Sequence, residues 1–170
     1  MSNIMYSTQG IVLKKYPAGE AGALFNIYTE NYGKITALAQ GVKKEEAKLK
    51  GHLEPLNLAS IGFVLGKRGE RLIQANVINQ WPNIRRDFRK ISAAYYFAEL
   101  VDKNCLPGQQ DEPLWKVLFS FLKRLEEATT AEKEILSKMS REFEMEFLRC
   151  LGYEGEKDFR VLSSGVVKMF

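Results

Sequence analysis

TQGIVLKKYPAGEAGALFNIYTENYGKITALAQGVKKEEAKLKGHLEP, residues 8–55, holds three short β-type runs followed by a lysine-dense segment. Ile11 and Leu13 alternate with Val12 and Lys14. Leu24–Thr29 and Lys34–Ala39 flank Glu30-Asn31-Tyr32-Gly33, a short turn with glycine where a positive φ is needed. Further on, Leu56–Leu65 and Arg71–Ile78 are β-rich and flank Gly66-Lys67-Arg68-Gly69, a second hairpin turn. Five strands within about seventy residues, with a longer connection between the third and fourth, match an OB-fold barrel. An SH3-like barrel would produce a similar pattern.

After Trp81-Pro82 the period changes. Ile84, Phe88, Ile91, Tyr95 and Ala98 recur at helical spacing, and Asn83 is placed to cap the first turn. Lys103–Gln110, with Pro107-Gly108, is a break. Asp111 then opens a helix with Pro113 in its first turn, and Leu114, Val117, Leu118, Phe121, Leu122 and Leu125 line one face. Thr129-x-x-Glu132 has the form of a capping box. The helix it would open carries Ile135, Met139, Phe143, Phe147 and Leu151 and ends at Gly152. The expected architecture is α+β: an OB-like five-stranded barrel over residues 1–80, then a helical domain over 83–170, with no long linker between them.

The chain has 170 residues and a net charge of +4, and its position along the sequence says more than its size. Residues 1–82 carry ten Lys/Arg against six Asp/Glu, whereas residues 83–170 carry fifteen of each. A basic module joined to a neutral one suggests a polyanion for the first and a protein for the second. No apolar run reaches the ~18 residues of a membrane span, and the first residues lack a signal peptide's apolar core, so the sequence reads as cytoplasmic. Cys105 and Cys150 read as two reduced, mostly buried thiols.

Catalytic chemistry has little support. His52 lies at the end of the lysine segment with no evident orienter or nucleophile, and is read as a surface or turn residue. Glu142 and Glu146 share a helix face while Glu144 points elsewhere, which reads as a solvated surface. There is no phosphate-binding glycine motif. Three Cys and His in total are too few and too scattered for zinc, so neither metal nor cofactor is expected. The chain is read as a non-enzyme.

Nucleic acid is the better-supported ligand. The expected contacts are Lys14, Lys15, Lys34, Lys43, Lys44, Lys48, Lys50, Lys67, Arg68 and Arg71, with Tyr16, Tyr28, Tyr32 and Phe63 available for stacking. Glu45 and Glu46 interrupt the lysine run, and such a run alone is as often solvated surface as a site. Phosphate neutralisation plus base stacking is how OB-folds hold single strands. A second cluster, Arg85, Arg86, Arg89 and Lys90 at the start of the first helix, is the candidate partner-binding surface.

The order of residues resembles the RecO family of bacterial recombination-repair proteins. The likeness is carried by Thr8-x-Gly10-Ile11-Val12-Leu13-Lys14-Lys15, Gly19-Glu20, Tyr28-Thr29, Gly33-Lys34-Ile35, Ala39-x-Gly41 and Leu53-x-Pro55. It continues in Ala94-Tyr95-Tyr96-x-Ala98-Glu99-Leu100-Val101-Asp102 and in Phe143-Glu144-x-Glu146-Phe147-Leu148-x-x-Leu151-Gly152-Tyr153. Many relatives continue through a cysteine cluster that this chain does not show. The resemblance implies a mediator that anneals strands and helps RecA load on coated single-stranded DNA. It implies as partners DNA, RecR and the acidic, phenylalanine-tipped tail of single-strand DNA-binding protein (SSB). The alternative is an OB-fold scaffold for protein or RNA with no repair role; a metal-dependent nuclease would need an acidic cluster not evident here.

Overall fold

The computed structural model describes residues 4–20, 22–40, 49 and 51–153. Five strands, β1 (Met5–Ala18), β2 (Gly22–Thr29), β3 (Gly33–Gln40), β4 (Leu58–Gly66) and β5 (Gly69–Asn79), close into a barrel in the order β1-β2-β3-β5-β4. Parallel pairing of β3 with β5 at Ala37↔Glu70 and Leu38↔Arg71 makes the closure. This is OB topology, as the strand count predicts.

β1 serves both halves of the barrel. Met5–Ile11 pairs with β4, and Gly10–Ala18 with β2, with a register shift between Val12 and Lys14. A bulge there bends the strand from one neighbour to the other. It also breaks the simple alternation: Ile11, Val12 and Leu13 are all buried, because β1 is covered on both faces at this point. Val12 joins Phe25, Ile27, Ile35, Ile61, Phe63 and Leu72 inside the barrel. Ile11 and Leu13 instead join Tyr28, Trp81 and the helices on the outside.

Gly33 has φ 65, as the β2–β3 turn requires, and a Cβ there would stand 1.9 Å from the Gln109 carbonyl oxygen. The loop after the first long helix closes over this turn, where the Gly108 N–H donates to the Lys34 carbonyl at 2.9 Å.

Among the described residues four helices follow: α1 (Pro82–Arg86), α2 (Phe88–Asn104), α3 (Glu112–Glu127) and α4 (Lys133–Cys150). The entry differs from the one the sequence suggests. Asn83 does not cap; its N–H donates to Glu126 Oε1 at 3.0 Å and the Ile84 N–H to Glu126 Oε2 at 2.9 Å. A carboxylate from α3 thus satisfies the orphan donors of α1 across 42 and 43 residues of sequence. The helix then breaks at Asp87, whose side chain accepts from the Arg89 and Lys90 N–H groups and caps α2. Asp111 caps α3 as expected, accepting from the Leu114 N–H at 2.9 Å. The Thr129 capping box does not form: α4 starts at Lys133 with Glu132 at its N-cap and no side-chain cap. Arg89 and Lys90 hold that turn instead, donating to the Ala131 and Ala128 carbonyls. Gly152, with φ 87, ends α4 in a Schellman motif, Gly152 N–H to Arg149 O and Tyr153 N–H to Leu148 O.

The buried faces match the expected ones in part. Ile84, Ala98, Met139, Phe143 and Phe147 are buried, but Phe88 is 84% exposed and Tyr95 and Ile135 are also exposed; α2 buries Ala93, Ala94, Tyr96, Phe97 and Val101 as well, and α4 Leu136. The break at Asp87 resets the helical phase, so residues before and after it do not form one stripe. Helix α2 packs on β1 and β2.

Candidate nucleic-acid interface

Residues directly opposite one another in a sheet share a face. Tyr16 on β1 faces Leu24 on β2, Leu24 faces Leu38 on β3, and Leu38 faces Arg71 on β5. The four form a continuous row across the exterior of the barrel. Tyr16, Leu24 and Leu38 are half-buried and Arg71 is exposed. The adjacent row is Lys14, Asn26 and Thr36. Thr36 Oγ1 donates to Asn26 Oδ1 at 2.9 Å, and Asn26 Nδ2 donates to Asp102 Oδ1 of α2 at 2.8 Å. The Asn26–Asp102 bond ties this second row to α2, while Tyr16, Leu24 and Leu38 each keep part of their surface in solvent.

The predicted cations divide sharply. Lys14 is exposed, with its ammonium 5.1 Å from the centre of the Tyr16 ring. Lys67 and Arg68 are exposed at the tip of the β4–β5 hairpin. Lys15 lies opposite Phe25 rather than on the open face, and pairs with Glu54 at 3.1 Å. Lys34 must be removed from the site: it is buried, its Nζ donates to the Asp102 carbonyl at 2.5 Å and stands 3.7 Å from Asp102 Oδ1. It joins barrel to helix. Lys43, Lys44, Lys48 and Lys50 lie outside the described residues. Lys34→Met should therefore lower unfolding stability by about 1–3 kcal/mol, the cost of an unmet buried acceptor. Affinity for DNA should not change; paired urea melts and binding titrations check both.

The second cluster divides too. Arg85 donates through Nε to Gln80 O at 2.6 Å and through Nη2 to Pro55 O and Asn57 Oδ1, at 2.7 and 2.8 Å. Lys90 is buried, with Nζ 2.6 Å from Ala128 O. Lys90 is thereby committed to the fold, whereas Arg85, though bonded to the barrel, is only half-buried. Arg86 and Arg89 are exposed, Arg89 with one bond to Ala131 O at 3.2 Å. Between the end of β5 and α1 is an open groove of about 550 Å³, lined by Val77, Ile78, Arg85 and Arg86 among others.

Of the aromatics, Tyr28 is buried and its phenol is pushed well above the usual range, chiefly by desolvation. Tyr32 packs edge-on against Tyr6 and Phe63, with centroids 5.6 and 5.5 Å away. Only Tyr16 of the four lies in the open row. His52 Nδ1 accepts the Val77 N–H at 3.1 Å, a structural role. Glu142 pairs with Arg124 at 2.7 Å and Glu146 with Arg149 at 2.6 Å; the Tyr96 hydroxyl donates to Glu144, so that carboxylate is not simply solvated. Cys105 and Cys150 are free and half-buried, and burial pushes the Cys105 thiol up to about 11. No described group of His, Cys, Asp and Glu could hold a metal ion, and no described helix is long and apolar enough to cross a membrane.

Residues 1–81 match the family described as Recombination protein O N terminal, and residues 85–161 that described as Recombination protein O C terminal. The chain belongs to the RecO family. A relative from Gloeothece citriformis, named DNA repair protein RecO, is 35% identical over 127 residues, 75% of this chain and 45% of the relative. Proteins of the same name from Syntrophus aciditrophicus and Geobacter metallireducens are 32% and 33% identical over 150 and 146 residues. Those matches cover 87% and 86% of this chain, and 56% and 58% of the relatives. The chain therefore spans about half the length of the curated relatives it matches.

Proposed function

We propose that this RecO-family chain is a non-enzymatic DNA-repair mediator that binds DNA on the open face of its barrel. The observation that carries this is the exterior row Tyr16–Leu24–Leu38–Arg71, with Lys14 beside it and Lys67 and Arg68 on the neighbouring hairpin. Cations at the edges screen phosphates, and an apolar strip between them suits bases. Screening repulsion between two complementary strands is the physical basis for promoting annealing. The barrel, residues 1–80, is the nucleic-acid-binding domain, and residues 83–170 are the partner-docking domain. Partners are the SSB tail and RecR, and the role includes RecA loading on SSB-coated single strands in the cytoplasm, at the nucleoid. For the acidic, phenylalanine-tipped tail, Arg86 and Ile78 in the groove beside α1 supply charge and apolar surface together. The deciding test is annealing of complementary strands coated with the cognate SSB. The protein should accelerate it without nucleotide or metal. No acceleration, or cleavage of the strands with magnesium, would overturn the reading.

A further inference from the structure

The geometry points to Tyr16 as a stacking platform for an unpaired base of single-stranded DNA, completed by Leu24 and Leu38 and bounded by Lys14 and Arg71. This rests on the nucleic-acid reading above and narrows it to one substrate form and one mode of contact. With strands about 4.8 Å apart, the row from β1 to β5 crosses three spacings, about 14 Å along the curved wall of the barrel. Its middle is two leucines and its ends are an aromatic ring and a guanidinium. Neither this row nor the Lys14–Asn26–Thr36 row contains a carboxylate. Glu70 next to Arg71 lies opposite Ala37, which belongs to the barrel interior.

Nothing in this arrangement reads base edges, because the row offers one hydroxyl and one guanidinium at its extremities and only carbon between. An apolar strip with a ring takes the face of a base, which is sequence-tolerant since every base has one. A duplex keeps those faces inside its own stack, so the strip discriminates for unpaired strands. Lys14, whose ammonium lies 5.1 Å from the centre of the Tyr16 ring, brings positive charge beside the platform for a backbone phosphate. The other aromatics are excluded by their positions: Tyr28 under the helices, Tyr32 and Phe63 in the barrel cluster.

The full chain is titrated against a fluorescent mixed-sequence single strand and the matching duplex at several salt concentrations. Tyr16→Thr keeps strand propensity but removes the ring. It should weaken single-strand binding about tenfold or more, with the salt slope unchanged because no charge is lost. Tyr16→Phe should bind as the unsubstituted protein does, and duplex binding should be the same in all three. Equal single-strand binding by Tyr16→Thr, or equal losses on single strand and duplex, overturns the stacking role while leaving DNA binding intact. If the unsubstituted protein binds neither form, the nucleic-acid reading itself falls. Photocrosslinking of a 5-bromouracil strand to the unsubstituted protein gives a check independent of folding: adduct at Tyr16 supports the platform, and adducts only elsewhere overturn it.

Discussion

Phe143→Ala should remove about 3–5 kcal/mol of stability, the usual cost of emptying a fully buried phenylalanine site. Phe143 is 0% exposed and stacks on Phe97 with centroids 4.2 Å apart. Phe121 meets it edge-on at 5.4 Å and Phe147 lies at 6.0 Å, so α2, α3 and α4 all touch this one ring. With three helices fixed around it, the site cannot collapse, and the cavity term is kept in full. A domain's whole stability is about 5–15 kcal/mol, so the loss is a large fraction of it. In urea the midpoint should fall while the slope is retained. Phe88→Ala is the matched control: that ring is 84% exposed, and the change should stay within about 0.5 kcal/mol. Similar losses for the two would mean that the helical packing is not as described.

Phe143 and Phe88 also show what the helical sequence reveals. Both fall on apolar stripes of helical period, yet only one is core. The period from Leu114 to Leu125 identifies the buried face of α3 because that helix is uninterrupted and capped locally by Asp111. It fails across Asp87, where the cap of α2 also breaks the phase, and at α1, whose capping acceptor is Glu126 on another helix. Local signals report local hydrogen bonds; a carboxylate arriving from 42 residues away leaves no mark near the helix it caps.

The barrel was more legible, for a related reason. The turn at Gly33 fixes the β2–β3 register, and from it Leu24 must lie opposite Leu38. That pairing could have been extracted from the sequence alone. The parallel closure that sets Arg71 beside Leu38 could not, since it joins strands separated by the whole lysine segment. Nor does a lysine's own context distinguish Lys14 from Lys34. Both stand next to apolar strand residues, Leu13 and Ile35; what removes Lys34 from the surface is Asp102, 68 residues on, on a helix that packs on β1 and β2. Charge counting finds a basic module but overcounts its contacts, because some cations hold domains together.

Removing Lys34 and discounting the paired Lys15 sharpens the expected salt dependence of DNA binding. The exposed described cations of the barrel are then Lys14, Lys67, Arg68 and Arg71, and the lysine segment supplies Lys43, Lys44, Lys48 and Lys50. If about four to six of these meet phosphates, log K should fall with log salt at roughly −3 to −4 on single strands, at about −0.7 per neutralised phosphate. Changing Lys43, Lys44, Lys48 and Lys50 together to alanine should flatten the slope by up to about three units and weaken binding to all sequences alike. The contrast with Tyr16→Thr is qualitative, since loss of charge changes the slope and loss of a ring does not. Leu49 and Leu53, buried in the barrel core, are kept, so the variant should show unchanged circular dichroism and the same urea midpoint. A variant with the unsubstituted protein's affinity and slope would make the lysine segment ordinary surface. The charge held by Lys14, Lys67, Arg68 and Arg71 would then have to account for DNA binding alone, with a slope no steeper than about −3.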